Sequence, residues 1–154
     1  MKTTRIVLIV LMLGLITLLA WPKATQQQAQ PVPVAQNDSI IGCYVATIAK
    51  DVYSMNITSQ EGIAIEGTLA YKNFEKDSSS GTLVGIYDSQ MLLGDYSFAS
   101  EGMDSVAQVA FKKTPEGFIR GFGPTETMGN KEVLTDTSNL TYENSPTFVK
   151  TQCQ

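Results

Sequence analysis

From Gly42 onward the chain alternates apolar and polar residues with a period of two, over short runs divided by turn residues. That period belongs to strands with one buried face, since successive side chains of an extended backbone point to opposite sides. Gly42–Ile48 and Val52–Thr58 form the first two runs, joined by Ala49-Lys50-Asp51. Gln60-Glu61-Gly62 makes the next turn. In Ile63–Tyr71, Ile63, Ile65, Gly67, Leu69 and Tyr71 share one face, against Ala64, Glu66, Thr68 and Ala70 on the other. Residues 72–80 read as a polar loop. Gly81–Asp88 and Met91–Ser100 flank a tight Ser89-Gln90 turn, and Leu92, Gly94, Tyr96 and Phe98 oppose Asp95 and Ser97. Ser105–Thr114 and Phe118–Gly123 pair through Pro115-Glu116-Gly117, a strong turn signal. Residues 124–139 hold no sustained period. Thr141–Thr151 holds one or two strands, broken near Pro146.

Seven or eight short strands at this spacing predict an all-β domain over residues 40–154. A small antiparallel meander barrel of calycin-like kind suits sequential hairpins, and a β-sandwich is the alternative. Gly67, Gly85, Gly94 and Gly121 recur inside strands, where glycine marks bends or close backbone approach. Tyr44, Tyr53, Tyr71, Tyr87, Tyr96 and Phe98 stand at strand positions, either filling the interior or lining a ligand cavity.

The first 39 residues read differently. Ile6–Trp21 is an uninterrupted apolar run behind the basic Met1–Arg5. As a helix it spans only ~24 Å against a hydrocarbon core of ~30 Å. That suits a secretory signal or signal anchor over residues 1–21, with Lys2 and Arg5 left on the cytoplasmic side. No clean small-x-small cleavage site follows, so cleavage and retention stay equally open. Residues 22–39, rich in Pro and Gln, form an extended linker. Membrane association is expected through the N-terminal segment alone, with the body extracytoplasmic, in the periplasm or at the cell surface.

Composition narrows the chemistry. The 154 residues contain no histidine, which removes the commonest general base and zinc ligand. From residue 40 onward, 8 Lys+Arg stand against 14 Asp+Glu, an acidic balance that argues against nucleic acid. The two cysteines, Cys43 and Cys153, are expected to form a disulfide in an oxidising compartment, tying the last strand to the first. Free thiols are the alternative.

Leu93–Phe111 is the densest polar stretch. Asp95, Glu101 and Asp104 form a weak candidate carboxylate cluster for calcium or for acid–base work. Their spacing matches no EF-hand, and a solvated strand-loop-strand is the favoured reading of them. Glu101, Gly102, Met103 and Asp104 are the candidate interaction loop. No cofactor is implied.

The segment Gly94-Asp-Tyr-Ser-Phe-Ala-Ser-Glu-Gly-Met-Asp-Ser-Val-Ala-Gln-Val-Ala-Phe111 resembles a signature of uncharacterised bacterial envelope lipoproteins. Gly42-Cys43-Tyr44 and Gly81-Thr82-Leu83-Val84-Gly85 add to the likeness, which covers residues 42 to 123. It implies an exported bacterial domain and no activity. The chain departs from that pattern in lacking a lipidation cysteine beside its apolar run. Taken together, these readings lead to a non-enzymatic envelope module that binds a small apolar ligand or an envelope protein. A carboxylate-dependent enzyme and a purely structural component are the alternatives.

Overall fold

The computed structural model describes residues 39–100 and 103–153, with the backbone alone at Ser100. The expected N-terminal apolar helix, the linker up to residue 38, and Glu101 and Gly102 lie outside the described residues. Ten strands follow in chain order: β1 Gly42–Ile48, β2 Asp51–Glu61, β3 Ala64–Lys72, β4 Ser79–Tyr87, β5 Met91–Ser100, β6 Met103–Lys113, β7 Gly117–Gly121, β8 Thr125–Met128, β9 Lys131–Leu134 and β10 Thr147–Thr151.

Eight of them close into an antiparallel barrel. Neighbours in sequence pair from β1 through β7, β10 pairs with β7, and β1 pairs with β10 to complete the cylinder. One continuous ladder that returns to its start excludes the sandwich alternative and leaves these strands no free edge. β8 and β9 form a hairpin outside this cylinder. β9 runs parallel to β6, with Val106 opposite Lys131 and Ala107 opposite Glu132.

The inward face carries the core. Tyr44, Met55, Ile57, Ile65, Leu69, Leu83, Leu92, Val109, Phe111, Phe118 and Phe148 are each at most 2% exposed, so the barrel is packed rather than hollow through its middle. Burying each large side chain is worth roughly 1.5–3 kcal/mol. Phe118 meets Tyr44 and Tyr87 edge-on, and Phe111 meets Phe148 the same way.

The glycines inside the strands serve close approach. A Cβ on Gly85 would collide with the Leu93 carbonyl and with Gly94, its cross-strand partner. Bare backbone at both positions lets β4 and β5 curve tightly.

The two poles of the barrel differ. One carries the disulfide between Cys43 and Cys153, whose Cα atoms lie 5.2 Å apart. Ile40, 1% exposed, plugs this pole: its carbonyl accepts a hydrogen bond from the Tyr44 hydroxyl at 2.7 Å, and its amide donates to Gln60 Oε1 at 2.9 Å. The β2–β3, β4–β5 and β6–β7 turns lie at this pole. The opposite pole, the mouth, is bordered by the β1–β2 turn and by residues 73–78 between β3 and β4.

Several expectations shift by a few residues. Ile63, expected at the inward start of a strand, is 53% exposed in the turn, because Gly62 takes a left-handed φ of 61° there. β2 runs on past Thr58, which bulges between Ile57 and Ser59. Residues 124–139 hold the β8–β9 hairpin. Its strand β8 is exposed at every position, so no period of two could mark it. The run expected as Phe118–Gly123 ends at Gly121. Beyond it Phe122 makes a single bridge to Thr141, and the C-terminal stretch contains one strand, β10.

Candidate functional site

At the mouth the inward face stops being filled. A cavity of about 270 Å³ opens there, lined by Ile48, Tyr53, Tyr71, Arg120, Phe122, Asn144, Ser145, Pro146 and Phe148. Register explains the gathering. Ile48 ends β1, Tyr53 enters β2 and Tyr71 closes β3, all at the same pole. Arg120 stands on β7 two positions from the core residue Phe118, which directs it inward in the same phase. Asn144–Pro146 lead into β10, whose Phe148 forms the floor.

The rings form a connected layer. Tyr71 meets Tyr53 at 5.0 Å and Tyr96 at 5.7 Å, both edge-on, and Tyr96 stacks on Phe98 at 4.7 Å. The Arg120 guanidinium carbon sits 4.8 Å from the Tyr71 ring centre and 4.9 Å from that of Phe122. Cation–π contacts of this kind contribute roughly 0.5–2 kcal/mol and hold a guanidinium in one plane. Arg120 is the charged side chain of the lining, and no carboxylate lines the cavity with it.

Hydrogen bonding singles out three atoms. Among the described residues, the buried side-chain atoms without a hydrogen-bond partner are Tyr71 Oη, Arg120 Nε and Ser145 Oγ, and all three residues line this cavity. Burying a polar group unpaired costs roughly 1–3 kcal/mol, so native proteins seldom leave such atoms clustered. The neighbouring tyrosines satisfy the rule. Tyr44 donates to Ile40, Tyr87 to the Ser89 carbonyl at 3.1 Å, Tyr96 to Ser79 Oγ at 3.0 Å and Tyr53 to Asp51 Oδ2 at 3.5 Å. Burial pushes the Tyr71 hydroxyl up to about 12, against a partial downward pull from Arg120. It is therefore a neutral donor at any physiological pH. Burial also raises Tyr53, with the Asp51 carboxylate adding to the rise and Arg120 opposing it, and raises Tyr96 against the Ser79 hydrogen bond and the Arg120 charge.

The residues singled out from sequence fall elsewhere. Asp95 on β5 forms an ion pair with Lys131 of β9 at 2.7 Å, which fastens the outer hairpin to the barrel. Asp104 lies exposed on β6 opposite Ala99, four positions along the strand from Gln108, the partner of Asp95. At about 3.3 Å per residue the two carboxylates stand roughly 13 Å apart along the sheet. Among the described residues no three acidic or cysteine side chains gather as a cation site. Met103 is 68% exposed beside Asp104 at the start of β6, while Glu101 and Gly102 lie outside the described residues.

Tyr53 and Tyr71 divide from the other expected aromatics. Tyr44, Tyr87 and Tyr96 fill the interior, whereas Tyr53 and Tyr71 line the cavity. Arg120 escaped the sequence reading because a charged residue in a strand is ordinarily assigned outward. The available signal was its phase, since Phe118, Arg120 and Phe122 alternate on one side. No protein-family model matches the chain, and neither do the curated proteins or the solved structures with which it was compared.

Proposed function

We propose that this protein is a non-enzymatic binding module of the bacterial envelope that holds a small molecule in the mouth of its barrel. One observation carries the reading. The unpartnered buried polar atoms of the described residues belong to three side chains that line one cavity, in a barrel otherwise packed to its closed pole. A few fixed polar groups in a concave, largely aromatic lining are the general makeup of a small-molecule site.

Three further features support the parts of this reading. The disulfide fits an oxidising compartment, and the basic N-terminus followed by an apolar run fits export. The likeness of residues 42 to 123 to envelope lipoproteins points the same way. Against catalysis stand the absence of histidine from the chain and the engagement of Asp95 by Lys131.

Native mass spectrometry of the full chain, purified gently from its own host, tests the reading. Extra mass of a few hundred daltons is the expected result. A bare chain, lighter by the two hydrogens of the disulfide, would count against a small ligand and for a purely structural role. A protein-sized addition would replace it with an interaction module.

A further inference from the structure

The geometry points to an anion subsite at the mouth: we propose that Arg120, with the hydroxyls of Tyr71 and Ser145, takes the carboxylate of a small amphipathic acid whose apolar body lies against Tyr53, Phe122 and Phe148. The inference rests on the binding reading above and adds the chemical class of the ligand.

Charge is the first ground. Arg120 is partly buried, lies against two rings, and makes no ion pair among the described residues, where Lys131 pairs with Asp95. Withdrawing a cation from water without a counter-charge is costly, and the cost falls when a ligand brings the anion. Asp51, the carboxylate beside Tyr53 at this pole, is engaged elsewhere: Oδ1 accepts the Phe74 amide at 2.7 Å and Oδ2 the Tyr53 hydroxyl.

Donor chemistry is the second ground. The Arg120 guanidinium and the Tyr71 hydroxyl can donate, and so can the Ser145 hydroxyl, while the cavity offers no carboxylate to accept from a cationic ligand. Planar, forked donation from arginine matches the two oxygens of a carboxylate. Size and surface supply the third. About 270 Å³ suits a short acid, and the rest of the lining is mainly aromatic and aliphatic. An aromatic acid and a short fatty acid share this chemistry.

The test is a calorimetric titration of the full chain with phenylacetate and octanoate, each paired with its neutral counterpart, 2-phenylethanol and 1-octanol. At least one acid is expected to bind about tenfold or more tightly than its alcohol, because charge-assisted hydrogen bonds are worth about 1.5–3 kcal/mol. Which acid binds distinguishes the aromatic from the aliphatic source. Arg120→Gln should weaken the acid by a similar factor and leave the alcohol nearly unchanged. Tyr71→Phe, which removes one oxygen from a packed ring, should weaken the acid severalfold. It serves in place of Arg120→Gln if that variant does not fold, as judged by near-ultraviolet circular dichroism. Equal binding of acid and alcohol would overturn the anion subsite while leaving the binding reading intact. Silence from all four probes alongside a neutral natural adduct in the mass spectrum would do the same. Silence with a bare chain would remove both.

Discussion

Five tyrosines point into the barrel, and their hydroxyls divide by what they touch. Four donate to protein oxygens, and Tyr71 does not. Its proton is held until about pH 12 in the folded chain, against 10.0 for a free tyrosine. Between those values the unfolded chain has released this proton and the folded chain has not, so stability falls as pH rises through that window. The interval corresponds to about 2–3 kcal/mol, fully retained below pH 10. Urea unfolding at pH 8 and at pH 11.5 should show the loss, and Tyr71→Phe should flatten it. An unchanged slope in the variant would assign the alkaline loss to the other raised tyrosines, Tyr44, Tyr53 and Tyr96.

At the level of elements, strand curvature depends on where side chains are missing. Gly85 and Gly94 face each other across β4 and β5, and a methyl group on Gly85 would strike the opposing backbone. Gly85→Ala should therefore cost about 1–3 kcal/mol in urea unfolding. Thr82→Ala, on the exposed face of the same strand, should stay within about 1 kcal/mol. Such strands were legible in the sequence because burial on one face imposes a period of two. Gly42–Ile48 and Met91–Ser100 match β1 and β5 to the residue. Legibility ended where that cause was absent. Thr125–Met128 buries neither face, and Ile63 owes its exposure to a turn set by Gly62. The site was harder still. Tyr53 and Tyr71 were visible as inward aromatics, yet the partners that meet them come from β7 and the approach to β10, far along the chain. Only closure of the barrel brings those segments together; turn signals mark which neighbouring strands pair, but they do not mark which side chains of distant strands meet at the mouth.

For the whole molecule, closure is secured twice, by the β1–β10 ladder and by the disulfide beside it. Replacing both Cys43 and Cys153 by serine should lower stability by about 2–5 kcal/mol while leaving the strand content by circular dichroism intact. A loss near zero would mean that the ladder alone holds the ends. The bond has a further consequence for the covalent path. From Cys43 through all ten strands to Cys153 and back across sulfur, the chain is a ring of bonds. A protease that cuts once in the exposed segment 73–78 opens this ring without dividing it. The nicked protein would keep its full mass, gain one water, and migrate as a single species until a reductant parts it into two. Damage at the exposed mouth loop would thus leave a barrel with its pieces still joined at the opposite pole.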